Sequence, residues 1–229
     1  MYEPQEAAKR AAAGAALRLI EPGMRLGLGT GSTAEHFIRL LAERLAGGLA
    51  IRAVATSRRS AALASQLGIP MASLDELPEL DLAVDGADEI DPRLNLIKGG
   101  GGALLREKIV AAAARRFVVI ADRTKCVPVL GAFALPVEIV AFAARPLIGR
   151  LHALAGPARL RRLPDGSPFT TDEGHQLIDC ACGSITDPPR LAAALAALPG
   201  VVDHGLFVGM ASEALIGAPD GEVIRLLPD

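Results

Sequence analysis

Four short segments carry residue types and spacings that chemistry could use. Gly27-Leu28-Gly29-Thr30-Gly31-Ser32-Thr33 places three glycines and three hydroxyls in seven positions. Glycines let backbone amides close on an anion, and hydroxyls at a helix start add donors. A dinucleotide fingerprint has its third small residue where Ser32 stands, and a Walker loop needs a Gly-Lys-Ser/Thr step whose lysine is missing. The segment resembles both and matches neither. It reads as a cradle for a phosphate or for sugar hydroxyls; the alternative is a tight turn with a helix cap, which a single Ser would satisfy.

Asp85-Gly86-Ala87-Asp88-Glu89-Ile90-Asp91 holds four carboxylates in seven residues. They repel one another unless something offsets the charge or some take up protons. The acids and the glycine are out of register for a Ca²⁺ loop. Acids that bond sugar hydroxyls, or pass hydroxyl protons, fit better, and a solvated acidic turn is the alternative. The third segment runs from Lys98 through Gly99, Gly100, Gly101 and Gly102 into a helix that carries Glu107. Four consecutive glycines are costly to order, which suggests a backbone lying flat against a ligand. The stretch 109–114 is apolar all round and reads as buried. Burial makes a carboxylate a better proton acceptor, so Glu107 is a candidate general base. The other reading is an exposed acid stabilised by the helix N-terminus.

The fourth segment, Ala121-Asp122-Arg123-Thr124-Lys125, adds basic groups after an apolar strand, or forms a polar cap. Of the 24 Lys and Arg residues only Lys9, Lys98, Lys108 and Lys125 are lysine. With arginine serving wherever a generic positive charge will do, each lysine is a candidate for a task needing a compact ammonium. The four histidines, His36, His152, His175 and His204, lack metal-ligand spacing, and none adjoins a nucleophile. Of the three cysteines, Cys126, Cys180 and Cys182, the last two have no second pair and only distant histidines, and read as buried small hydrophobes rather than metal ligands.

Elements must position these groups. Up to about residue 130, strand and helix signals alternate. Helices are expected over 7–20, 34–46, from Ser57 to about 67, and 103–114, and strands over 24–29, 50–55, 80–84 and 117–121. That alternation predicts an α/β domain, a mostly parallel sheet with helices on both faces. Further on, strands over 135–140, 159–163, 176–181 and 201–207 alternate with helices over 146–154 and 189–198, predicting a smaller α+β domain with an antiparallel sheet. The expected division is 1–130 as the main domain, with a C-terminal return over 208–229, and 131–207 as the small domain.

Composition narrows the class. The chain has 229 residues, 51% of them apolar, and a formal charge of −2. This excludes wholesale disorder, and the near-neutral charge argues against nucleic acid. No run is long enough to span a membrane, and the odd number of cysteines with no export signal points to the cytoplasm.

GLGTGSTAEHF, AVDGADEID, KGGGGALLREKIV and ADRTK, in this order and at these separations, resemble ribose-5-phosphate isomerase of the A type. The likeness extends through LPVEI at 135–139, TDEG at 171–174 and GVVDHGLF at 200–207, over essentially the whole chain. It implies a Rossmann-like main domain, a homodimer or dimer of dimers, and no metal or organic cofactor. It also implies the interconversion of ribose 5-phosphate and ribulose 5-phosphate through an enediol(ate), in the pentose phosphate pathway. The resemblance places Glu107 as the proton-transferring base, with Lys98 and Asp85 also catalytic. Around the substrate it sets Lys9, Thr30, Gly31, Ser32, Thr33, Asp85, Gly86, Ala87, Asp88, Lys98, Gly99, Gly100, Gly101 and Lys125. Ala141 stands where the family commonly has proline, and Glu173 and His175 depart from its usual small-domain turn. The alternative function is a non-catalytic sugar-phosphate sensor of the same fold, which would need the cradle and not the base.

Overall fold

The computed structural model describes residues 4–228. In chain order the elements begin with α1 (Pro4–Leu17), β1 (Arg25–Leu28), α2 (Ser32–Ala46), β2 (Arg52–Ala55), α3 (Arg58–Gln66) and β3 (Leu82–Asp85). Then come β4 (Glu89–Ile90), β5 (Leu96–Ile97), α4 (Leu104–Ala113), β6 (Phe117–Asp122), β7 (Leu135–Ile139), α5 (Ala144–Ala155) and β8 (Ala158–Leu160). The last are β9 (Gln176–Cys180), α6 (Pro188–Ala196), β10 (Val201–His204), β11 (Leu206–Phe207), β12 (Glu213–Gly217) and β13 (Val223–Leu226). The described residues form two compact units, one of residues 4–87, 106–126 and 210–228, the other of 88–105 and 127–209.

The first unit is built on a six-stranded sheet in the order β13-β12-β6-β3-β1-β2. Every neighbouring pair is parallel except β12 with the edge strand β13. Parallel strands need crossovers, and α2 and α4 supply them between β1 and β2 and between β3 and β6. Strand alternation sends Leu26, Leu28, Leu82, Val84, Val118 and Ile120 to one face, where they pack with Ala12, Ala16, Phe37 and Leu41 of α1 and α2. Gly27 and Ala83 face the other way, toward Val110 of α4: a Cβ on Gly27 would lie 2.6 Å from Val110 Cγ1. Helices therefore cover both faces, as the alternation predicts, in the Rossmann-like arrangement that the resemblance implies. The order reverses at β1, so β2 and β3 lie on opposite sides of it. Open α/β sheets bind ligands beyond the carboxyl ends of the strands at such a point.

The second unit contains an antiparallel four-stranded sheet, β10-β7-β9-β8, and a three-stranded one, β11-β5-β4. Leu135, Val137, Ile139, Leu147, Leu151, Ile178 and Leu195 fill its core beneath α5 and α6. The single strand expected over 201–207 is two: Gly205 N–H donates to Pro136 O while Gly205 O accepts from Lys98 N, so the chain leaves one sheet for the other there. The two-residue strands β4 and β5 gave no sequence signal, because a period of two cannot be read from two residues. The turn at 171–175 is clipped to Glu138, whose buried carboxylate accepts from Thr171 Oγ1 at 2.8 Å and meets His175 Nδ1 at 3.0 Å. Burial pushes that carboxyl above the usual range, although both contacts pull the other way.

Candidate active site

In the first unit β1 runs straight into the glycine segment. Gly29 N–H donates to Val84 O, and Thr30 N–H to Asp85 Oδ1 at 2.9 Å, so the ends of β1 and β3 are tied together. Only glycine fits at position 29, where a Cβ would stand 2.1 Å from that same Oδ1. Gly31 then turns the chain into α2 with φ 106 and offers no side-chain cap. The first amides of a helix have no intrahelical partner, so this start, with Ser32 and Thr33 in the first turn, suits an anion.

Thr30 itself faces inward. Its Oγ1 lies 2.7 Å from Thr56 Oγ1, 2.8 Å from Ser57 Oγ and 3.2 Å from Ser60 Oγ. Ser60 Oγ–H donates to Gly29 O at 2.7 Å, and Ser57 caps α3. In the sequence Ser57 reads only as a helix start. The available signal was a second hydroxyl cluster, Thr56-Ser57 and Ser60, at a second strand-to-helix junction.

Asp85 closes β3 and is 2% exposed. Its Oδ1 also accepts from Gly86 N–H, at 2.7 Å. By strand alternation Asp85 shares the face of Ala83, the one covered by Val110. α4 returns antiparallel to the strands it connects. Ala83 to Asp85 advances roughly 6.6 Å along the strand, and Val110 back to Glu107 roughly 4.5 Å along the helix in the same direction. Glu107 is thus brought to the strand-end level of Asp85, on the same side of the sheet, and is 5% exposed. The helix is not buried all round as expected, since Ile109 is 45% exposed. Glu107, Val110 and Ala111 form its buried stripe, at the i, i+3, i+4 spacing of one helix face.

Lys9 Nζ pairs with Glu6 Oε1 at 2.7 Å, and Glu6 Oε2 meets His36 Nε2 of α2 at 2.8 Å. These contacts, Lys9 first, hold the Glu6 carboxyl below its ordinary value. Lys9 therefore sits beside α2, one turn past its start. Lys125 lies in the helical turn Arg123–Lys125 after β6, which Asp122 caps by accepting from Thr124 N–H at 2.9 Å. Burial raises the Asp122 carboxyl, but bonds from Thr124 and Gln5 and the charge of Lys125 outweigh it and leave it below its usual value.

In the second unit, Asp88 Oδ2 accepts from Gly100 N–H at 2.8 Å. Glu89 accepts from Gly131 N and Phe133 N, both at 2.6 Å. Asp91 accepts from Arg93 N, Asn95 N and Asn95 Nδ2. With Asp85 on the amides of Thr30 and Gly86, backbone or side-chain N–H groups meet every carboxylate of the acidic segment, which answers the repulsion problem. Lys98 is 2% exposed, with Nζ 5.5 Å from the centroid of the Phe207 ring. The glycines after it are packed against protein: a Cβ on Gly100 would come 2.7 Å from Asp88 Oδ1, and one on Gly102 2.4 Å from Phe169 Cζ. At Gly100 and Gly102, then, protein side chains already occupy the space a Cβ would take.

Among the described residues no group of three or more His, Cys, Asp and Glu side chains is arranged to hold a metal ion. Burial pushes the thiol of the core residue Cys180 up to about 12 and that of the half-buried Cys182 to about 11. Among the same residues no helix is long and apolar enough to cross a membrane.

A Rossmann-like sheet with a glycine-and-hydroxyl loop at a helix start and a buried carboxylate at its carboxyl edge defines a class of α/β proteins whose ligand sites lie beyond the strand ends. The profile of the ribose 5-phosphate isomerase A (phosphoriboisomerase A) family matches residues 52–221. Ribose-5-phosphate isomerase A of Sinorhizobium fredii is 58% identical over 216 residues, 92% of this chain and 93% of that protein. The Brucella suis protein of the same name is 54% identical over 219 residues, 93% of this chain and 94% of its own. A solved D-ribose-5-phosphate isomerase in complex with phospho-erythronic acid superposes with a TM-score of 0.94 at 40% identity, over 97% of this chain and 99% of that one. The isomerase of Neisseria gonorrhoeae superposes at 0.92 with 37% identity over the whole of both chains. The chain belongs to the ribose 5-phosphate isomerase A family.

Proposed function

We propose that this chain interconverts D-ribose 5-phosphate and D-ribulose 5-phosphate through an enediol(ate). The observation that carries this reading is the buried Glu107 carboxylate, brought by α4 to the strand ends where Asp85 and the cradle lie. Exchanging a C1 aldehyde for a C2 ketone needs one base to move a proton between adjacent carbons, and Glu107 is that base. Lys98 offsets the charge that grows on the oxygen, a preorganised electrostatic role. Asp85 relays the proton between O1 and O2, and Asp88 holds hydroxyls. Thr30, engaged through both its amide and its hydroxyl, shapes the cradle. Gly31, Ser32 and Thr33, with Lys9 and Lys125, grip the phosphate, and binding that remote group positions the reacting carbons. Gly86, Ala87, Gly99, Gly100 and Gly101 complete the set of residues around the sugar.

The reading includes a homodimer or dimer of dimers working in the cytoplasm. A sensor of the same fold would need the cradle alone, and a buried carboxylate on the crossover helix speaks for catalysis. The test is Glu107→Gln, which keeps size and cannot accept a carbon-bound proton. Turnover should fall at least 10²–10⁴-fold, the usual cost of losing a general base. Phospho-erythronic acid should still raise the melting temperature of the variant. In D₂O the wild type should place deuterium at C2 of ribose 5-phosphate or C1 of ribulose 5-phosphate, because a proton held on Glu107 can exchange; the variant should place none. Near-wild-type turnover in the variant would move the base to another carboxylate.

A further inference from the structure

The loop from Lys98 to Ala103 is held by a side chain far along the chain. Arg161, just after β8, donates from Nη1 to the carbonyl oxygens of Gly99 and Gly100, each at 3.1 Å. The other edge of the guanidinium forks onto Asp179 of β9, with Nε 2.9 Å from Oδ2 and Nη2 2.5 Å from Oδ1. The Phe169 ring centroid lies 5.8 Å from the guanidinium carbon. That same ring is the neighbour that leaves no room for a Cβ on Gly102. The backbones are tied as well, since Arg161 N donates to Leu177 O and Arg161 O accepts from Phe169 N. The Arg161 side chain is 16% exposed.

This arrangement decides which way the glycine amides point. A peptide unit is planar, with its C=O and N–H directed oppositely. The Gly99 carbonyl faces Arg161, so the Gly100 N–H faces away, and there it meets Asp88 Oδ2 at 2.8 Å. The Gly100 carbonyl also faces Arg161, so the Gly101 N–H is turned away from the guanidinium too. Glycine peptides carry no Cβ to bias their rotation, so the loop cannot choose this orientation by itself. A planar fork with five donors can hold two carbonyls and a carboxylate together, and a lysine ammonium cannot do so in one plane.

We propose that Arg161 is a positioning residue for the isomerisation. By binding the Gly99 and Gly100 carbonyls, it orients the amides that hold Asp88 and present the loop to the substrate. The proposal rests on the isomerase reading above. It adds a residue outside all four motifs, acting through the loop rather than on the sugar.

The experiment compares wild type with Arg161→Gln, Arg161→Lys and, as control, Arg162→Gln. Arg162 bonds Gly166 O instead and should leave kinetics unchanged. In Arg161→Gln, kcat should fall about 10–100-fold, the scale of small misplacements of reacting groups. KM should stay within about threefold, because the phosphate cradle is untouched. Arg161→Lys keeps the charge without the fork and should fall to within about threefold of Arg161→Gln. It also covers the case in which Arg161→Gln fails to fold. Amide hydrogen exchange at Gly100 and Gly101 should speed up in both Arg161 variants. A folded Arg161 variant with wild-type kcat, or a loss confined to KM, overturns the proposal. Unchanged exchange overturns it even if the wild type does not isomerise, an outcome that would sink the isomerase reading separately.

Discussion

The two glycine-rich segments make an instructive pair. Gly27 to Thr33 lies at a strand-to-helix junction, and its shape follows from immediate surroundings: β1 feeds it, α2 receives it, and β3 ties it through Asp85. Lys98 to Gly102 has no long strand before it. Asp88 lies 12 residues back from Gly100, Arg161 lies 61 residues ahead, and Phe169 packs on Gly102. The first loop is a product of sheet topology, whereas the second is a chain with little conformational preference, shaped by side chains that reach it. A strand-to-helix loop can be inherited from the edge of a parallel sheet, but a flat glycine run has to be built.

The difference predicts unequal responses to the same change. Gly29→Ala should destabilise most, by about 3 kcal/mol. Its Cβ meets the Asp85 carboxylate at 2.1 Å and the Asp85 Cα at 2.6 Å, in a sheet that cannot move aside. Gly102→Ala should cost less, about 1–2 kcal/mol for an alanine at positive φ. Its nearest neighbour is the tip of the Phe169 ring, a side chain that can swing. Urea titrations of the two variants rank the losses, and an equal or reversed order would break the distinction between the loops.

A smaller effect sharpens the account of the first loop. Ser60→Ala should lose about 1 kcal/mol, because Gly29 O is left without its buried hydroxyl donor. The loop keeps its amides, so the melting-temperature rise proposed for phospho-erythronic acid should survive. A variant as stable as wild type would show that the hydroxyl cluster around Thr30 does not support the loop.

An effect of the same size, set apart by its pH dependence, concerns the far end of the same strands. Arg25 N and its guanidinium bind Asp81, so β1 and β3 are clipped at their starts as Thr30 and Asp85 clip their ends. The Arg25 bonds hold the Asp81 carboxyl down to about 2. A depressed folded pKa stabilises above the unfolded value near 3.9, and that stability disappears as pH falls through about 2. With the carboxylate 26% exposed, the contribution is about 1 kcal/mol once solvent screening is allowed for. Wild type should exceed Asp81→Asn by this amount at pH 6, and the two should converge as pH falls from 4 toward 2. A gap independent of pH would assign the stability to packing instead.

Much of this was legible in the residues. The alternation of helix and strand signals, the Ser57 cap and the apolar runs of β3 and β6 followed from periodicity and capping, which are local. Glu107 could be named because it stands near the start of a helix whose next stretch, 109–114, is apolar. Other features had no local trace. Nothing near Arg161 distinguishes it from the 19 other arginines. The paired amides that settle Asp85, Asp88, Glu89 and Asp91 come from both near and distant residues, so their charge problem could be posed from sequence and not solved.

By itself the sequence determined the alternating architecture, the chemistry on offer at each motif, and the family to which the chain belongs. The reason is that helix and strand periods, glycine runs and scarce lysines are properties of short stretches. Only the tertiary structure decided the orientation of groups brought together by folding. It turned the Thr30 hydroxyl inward to Thr56, Ser57 and Ser60, set Glu107 level with Asp85, and held the Gly99 and Gly100 carbonyls on Arg161. Hydrogen-bond direction depends on where distant atoms come to rest, and no local stretch of chain encodes that.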